Sequence, residues 1–161
     1  MIFDSRAFRD ALGRFATGVT VVTGLDGDGG PPLGITVNSF AAVSLAPPLV
    51  LFSLDRERGS TRHFTVGRPF AVSVLADFQL GLSHQFAALD GDRWRGVEVT
   101  AAANGCPLLA GSLAAFEGRV GAVHDGGDHA LIVGRVERLY QSENGRPLVF
   151  YQGGYRVLAE E

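Results

Sequence analysis

Two long alternating runs, Leu113 to Val123 and Ala130 to Tyr140, flank the turn His124-Asp125-Gly126-Gly127-Asp128. Residues that alternate apolar and polar with period two belong to strands with one buried face, and a Gly/Asp turn between two such runs closes an antiparallel hairpin. The same pattern occurs upstream. Val19-Thr20-Val21-Val22-Thr23 alternates, the cluster Asp26-Gly27-Asp28-Gly29-Gly30-Pro31-Pro32 turns the chain, and Leu33 to Phe40 returns it as a second hairpin. Leu49 to Leu54 and Phe70 to Leu75 read as buried strands, and Leu148 to Gln152 as a last one. The 22 glycines are spread without a fixed period, which suits tight turns between short strands.

Helical spacing is confined to short stretches. Phe8, Leu12 and Phe15 space an amphipathic helix within Asp4 to Thr17, with Asp4 or Ser5 as N-cap and Gly18 as the stop. Ser60-Thr61 opens a short helix running to about Val66, before Pro69. Phe78 to Leu89 places Leu82, Phe86 and Leu89 on one helical face and leaves Ser83 and Gln85 elsewhere. The run Ala41 to Pro48 acts as a breaker, and Arg93 to Leu109 reads mainly as loop, with Val97-Glu98-Val99-Thr100 as a possible extended piece. About six or seven strands with only short helices between them predict a mainly β fold, a closed or nearly closed antiparallel barrel that removes exposed edges.

Length and charge narrow the function classes. At 161 residues, 46% hydrophobic and 19% charged, the chain is expected to form one domain, 1–161, with a sizeable core. A formal net charge of -3 gives no basic footprint for nucleic acid. No apolar run nears the ~18 residues of a membrane span, and the N-terminus carries no signal-peptide hydrophobic region, so a cytoplasmic protein is expected. One cysteine, Cys106, and four histidines show no metal-ligand spacing, and Cys106 before Pro107 is expected to be a buried thiol. Neither a Rossmann nor a P-loop glycine pattern is present, nor a G-x-S-x-G elbow.

One strand ends unusually. After Ile35, the residues Thr36, Asn38 and Ser39 crowd small hydrogen-bonding groups together, which lines a site for something polar or, alternatively, closes the strand's own turn.

The ordered blocks Gly18 to Thr23, Thr36-Val37-Asn38-Ser39-Phe40, Val43-Ser44-Leu45 and Pro47-Pro48-Leu49-Val50-Leu51 resemble the short-chain flavin reductase family. Phe70 to Leu75, Leu82-Ser83 with Phe86-Ala87, Cys106-Pro107-Leu108-Leu109, Asp128-His129 and Pro147-Leu148 with Gly154-Tyr155 continue the resemblance over nearly the whole chain. It implies a split β-barrel homodimer that binds FMN, or FAD, reduces it with NADH or NADPH, and supplies a separate monooxygenase. A same-fold flavoprotein reducing another acceptor such as a corrinoid, and a non-enzymatic flavin-binding protein, are the alternatives.

By that resemblance Thr36, Val37, Asn38 and Ser39 face the flavin ring, Ser53 and Leu54 continue the wall, and Ser60, Ser83 and Gln85 hold the phosphate side. Ser60 read alone is a plain N-cap, and Ser83 a solvent-facing helix residue. His129, directly after Gly127-Asp128, is expected on the nicotinamide side as a positioning group, with Tyr155 covering the same pocket. Ala41-Ala42 stands where many relatives carry hydroxyls, and Gln85 where a basic residue is frequent, which reduces charge complementarity to a phosphate. The apolar Val43 to Leu54 region is the candidate dimer surface. With no basic pair to read a 2'-phosphate, NADH is favoured over NADPH.

Overall fold

The computed structural model describes residues 2–27 and 29–159. Asp28 of the first hairpin turn lies outside the described residues. In chain order the elements are α1 (Ser5–Leu12), β1 (Thr17–Gly18), β2 (Thr20–Gly24), β3 (Leu33–Val37), β4 (Ala41–Leu45), β5 (Pro48–Asp55) and β6 (Pro69–Val74). They continue with α2 (Leu80–Ala87), β7 (Val99–Ala101), β8 (Pro107–Leu109), β9 (Ala114–Gly126), β10 (His129–Gln141), β11 (Val149–Tyr151) and β12 (Gly154–Arg156). Short 3₁₀ turns occupy Ser60–His63 and Asp77–Gln79.

Seven strands form one antiparallel sheet in the order β3-β2-β6-β9-β10-β5-β4. Its two edge strands, β3 and β4, follow each other in the chain with only residues 38–40 between them. Laid flat, the edges would stand about 29 Å apart at ~4.8 Å per strand spacing, whereas the four steps from Val37 to Ala41 reach at most about 14 Å. The sheet therefore curls until its edges meet, and the barrel is split along that meeting line. Both predicted hairpins are present: β2 pairs with β3, and β9 with β10 from His129↔Gly126 to Gln141↔Ala114.

Phe52, Phe64, Phe70, Val72 and Ile132 fill the barrel. The Phe52 ring meets Phe64 edge-on at 5.9 Å and Phe70 at 5.5 Å. Two glycines serve close packing rather than turns: a Cβ at Gly134 would strike the Phe70 ring, and one at Gly34 the Phe86 ring. β2 is buried on both faces, because Val22 points into the barrel while Val21 meets Leu75, Phe86 and Leu148 beneath α2. A separate three-stranded sheet, β1-β11-β12, carries the C-terminus, and Gln152 N–H donates to Gly13 C=O at 2.9 Å to fasten its hairpin to the end of α1.

Several boundaries differ from the sequence reading. The first helix stops at Gly13, not Gly18; Asp4 is its N-cap, accepting from Ala7 N–H at 2.7 Å, and Phe8, Leu12 and Phe15 are exposed. Ala41 to Leu45 is a strand, because the prolines that suggested a breaker follow it, Pro47 in the turn and Pro48 at the start of β5. The helix expected over Phe78 to Leu89 is shorter, with Phe78 and Leu89 exposed. Within Arg93 to Leu109, β7 and β8 form a two-stranded ribbon.

Cys106 is free and fully buried, and its burial, reinforced by the negative Glu117 carboxylate, pushes the thiol pKa up to about 12. A thiol whose folded pKa lies above its unfolded value of about 8.5 stabilises the fold below that value and loses the contribution as pH rises through the folded pKa. We therefore expect Cys106 to resist a disulfide-exchange reagent at pH 8 in the native protein and to react once urea unfolds it. Unfolding free energy should decline from about pH 9 upward, as measured by urea titration.

Candidate active site

Ser39, in the link between β3 and β4, is tied to β5 by its side chain. Ser39 Oγ accepts from Ser53 N–H at 2.9 Å and donates to Ser53 C=O at 3.3 Å, which carries the β4–β5 register of Ala41↔Leu51 two residues further, to the seam where the sheet edges meet. Beside this seam opens a cleft of about 260 Å³, with Ile35 to Ser39 on one side and Ser53 to Asp55 on the other. Arg58, Ser60, Ala87 and His129 complete its rim. Asn38, Ser53 and Ser60 present side-chain polar groups that have no hydrogen-bonding partner among the described residues. Apolar groups of Ile35, Val37 and Leu54 share the lining.

His129 reaches the rim because β10 starts opposite Asp55 of β5. Arg56 anchors that hairpin tip, donating from Nε to His129 C=O at 3.2 Å and from Nη2 to Asp125 at 2.7 Å. His129 Nδ1 lies 2.7 Å from Asp128 Oδ1. The hydrogen bond from His129, and then the imidazole charge, hold the Asp128 carboxyl below the usual carboxylate range. A carboxylate there accepts the Nδ1 proton, so Nε2 is the ring nitrogen left for a ligand.

The cleft thus gathers Thr36, Val37, Asn38, Ser39, Ser53, Leu54, Ser60 and His129 of the residues expected from sequence. It does not gather Ser83, Gln85 or Tyr155. Ser83 is fully buried rather than solvent-facing or phosphate-facing, and its Oγ lies 2.7 Å from Tyr155 Oη. Gln85 donates from Nε2 to the carbonyls of Arg93 at 2.8 Å and Arg95 at 3.0 Å, which turns it toward the following loop. Tyr155 lines a neighbouring apolar cavity with Val19, Thr36, Val37, Asn38 and Phe150, away from His129. Ser60 begins its 3₁₀ turn without capping it; Gly59, in the left-handed region at φ +67°, is the N-cap.

Arg58 was hidden from sequence reading inside the charged run Asp55 to Gly59. Its Nη1 donates to Ala87 C=O at 3.2 Å and its Nε stands 3.7 Å from Asp55 Oδ2, so the guanidinium is placed at the cleft with donors to spare. The only available signal was an arginine two residues before Ser60.

A family model described as "flavin reductase like domain" matches residues 12–159. The chain belongs to the flavin reductase-like family. This member is 46% identical over 154 residues to the FMN reductase (NADH) SmoA of Agrobacterium fabrum, covering 94% of this chain and 85% of that one. It is 43% identical over 152 residues to the reductase subunit HsaB of a flavin-dependent monooxygenase from Rhodococcus jostii, covering 94% and 77% respectively. Among solved structures, the NADH:FAD oxidoreductase SgcE6 of Streptomyces globisporus, in complex with NAD and FAD fragments, superposes with a TM-score of 0.91 at 34% identity, over 97% of this chain and 93% of that one. Flavin reductases thus share the split barrel seen here.

Replacing Ser39 by Ala strands the Ser53 N–H and C=O in a half-buried seam, which should cost about 1–3 kcal/mol. Thr65→Ala, at an exposed position after the first 3₁₀ turn, should change stability by less than about 0.5 kcal/mol. Urea denaturation of the two variants beside the parent checks the contrast.

Proposed function

We propose that this flavin reductase-like protein transfers a hydride from NADH to FMN or FAD held in the cleft beside the Ser39–Ser53 seam, and releases reduced flavin to a partner monooxygenase. The reading rests on the polar side chains that have no partner among the described residues, Asn38, Ser53 and Ser60, which share the cleft lining with apolar Ile35, Val37 and Leu54 and with Arg58 and His129. That donor set fits an isoalloxazine, which needs a flat apolar bed and hydrogen bonds to its pyrimidine edge. Bound flavin supplies the electron-accepting ring; the protein supplies position.

Asn38, Ser53 and backbone groups of the β3 end hold the ring's polar edge. Ser60 and Arg58 face the phosphate, where a guanidinium gives the charge complementarity that Gln85 does not. His129 uses Nε2 to orient the dinucleotide; hydride transfer needs close stacking rather than a protein acid or base. NADH as donor and an oxygenase as recipient are supported by the names of the Agrobacterium and Rhodococcus relatives. Nicotinamide chemistry of this kind goes with a cytoplasmic location, and among the described residues no helix is long and apolar enough to cross a membrane.

The cleft of about 260 Å³ is smaller than the ~300–1,000 Å³ typical of ligand pockets, so one chain leaves a flavin partly uncovered. A homodimer would complete it. The edge strand β4 supports that arrangement, since Val43 and Leu45 are 51% and 95% exposed.

Anaerobic mixing of the protein, FMN and NADH should bleach the flavin absorbance rapidly. His129→Ala should raise the KM for NADH about tenfold or more, the loss of one oriented contact of roughly 1.4 kcal/mol. Bound flavin that neither NADH nor NADPH bleaches would overturn the enzymatic reading. Arg58→Ala should weaken FMN binding about tenfold while leaving riboflavin binding unchanged, since only FMN carries the phosphate; fluorescence titration with both ligands checks this.

A further inference from the structure

The Thr36 hydroxyl has one proton and two lone pairs. Its proton is taken: Oγ1 donates to Ser83 C=O at 2.7 Å. That acceptor is itself clamped, because Ser83 is fully buried and its own hydroxyl is hydrogen-bonded at 2.7 Å to Tyr155, whose ring packs edge-on against His84 at 5.0 Å and Phe150 at 5.4 Å. The Thr36 oxygen therefore offers a ligand lone pairs alone.

Thr36 also stands at a junction. Thr36, Val37 and Asn38 border both the polar cleft and the apolar cavity of Val19, Phe150 and Tyr155, and of the three Thr36 carries the hydroxyl. An isoalloxazine has the same order along its length: a polar pyrimidine end, N5 at the middle, and an apolar dimethylbenzene end. With the pyrimidine toward Asn38 and Ser53 and the benzenoid end toward Phe150, N5 falls at Thr36. Oxidised N5 is an acceptor, and it would meet only lone pairs. Hydride transfer adds a hydrogen at N5 and turns it into a donor.

We propose that Thr36, with its proton locked onto Ser83, is a contact selective for the reduced flavin, accepting a hydrogen bond from N5–H and offering nothing to oxidised N5. This rests on the placement of flavin in the cleft proposed above. The contact favours the product of hydride transfer and raises the reduction potential of bound flavin.

The test measures dissociation constants of oxidised FMN and of dithionite-reduced FMN, anaerobically, for the parent, Thr36→Val and Thr36→Ser. Thr36→Val keeps the shape and removes the oxygen; Thr36→Ser keeps the hydroxyl. We expect Thr36→Val to weaken reduced FMN about tenfold more than oxidised FMN, equivalent for a two-electron couple to a fall of ~30 mV in the bound potential, with Thr36→Ser holding the parental ratio. Equal weakening of both states, as a contact to N3–H or a purely structural role would give, overturns the proposal, as does loss of the ratio in Thr36→Ser. Asn38→Ala and Ser60→Ala separate the two levels. If they weaken FMN while Thr36→Val changes neither state, only the selective contact fails; if none of the variants changes FMN binding, the cleft placement fails with it.

Discussion

The Ser39–Ser53 pair secures the link at which the two edges of the barrel meet. A seven-stranded sheet whose edge strands are joined by three residues must bring those edges together, and an unpaired strand end there would leave backbone groups without partners. Ser39 resolves this by imitating a strand neighbour, accepting from and donating to the same residue across the gap. One side chain thus continues the ladder, and the cleft opens beside it.

That economy divides the polar residues of the site into two groups. Thr36, Ser39, Ser83 and Tyr155 spend hydrogen bonds on holding β3, β5, α2 and β12 in place. The side chains of Asn38, Ser53 and Ser60 have no hydrogen-bonding partner among the described residues, and Arg58 is steadied by Ala87 C=O and by Asp55. The rigid group fixes where the free group points, and a site whose walls are already held loses little further freedom when a ligand enters. The His129 side of the cleft is built separately. Register places His129 opposite Asp55, Arg56 ties the hairpin tip to the loop after β5, and Asp128 sets the imidazole orientation.

Several residues lie elsewhere than their spacing suggested, for a common reason. Ser83 and Gln85 share a helix and similar polarity, yet one is sealed against Tyr155 and the other bonds the loop at Arg93 and Arg95. Helical spacing sorts residues into faces but does not say what covers each face. β12, which arrives from the far end of the chain, buries the face that carries Ser83. Arg58 failed in the opposite sense, since a charged loop residue reads as solvated until the C-terminal end of α2 is seen beside it.

The sequence by itself determined the long strands, both principal hairpins and the run of residues that faces the cleft from Thr36 to Ser39, but not β4 or the β7–β8 ribbon. Those features depend on alternation, turn chemistry and residue order, all of which are local. It also carried the family resemblance, through blocks whose order survives even where each is weak alone. Only the tertiary structure decided which hydroxyls are engaged and which are free. A hydroxyl donates once, and the partners that engage Thr36, Ser39 and the Ser83–Tyr155 pair lie 47, 14 and 72 residues apart in the chain. Such pairings exist only once the barrel has closed, so no local pattern encodes them.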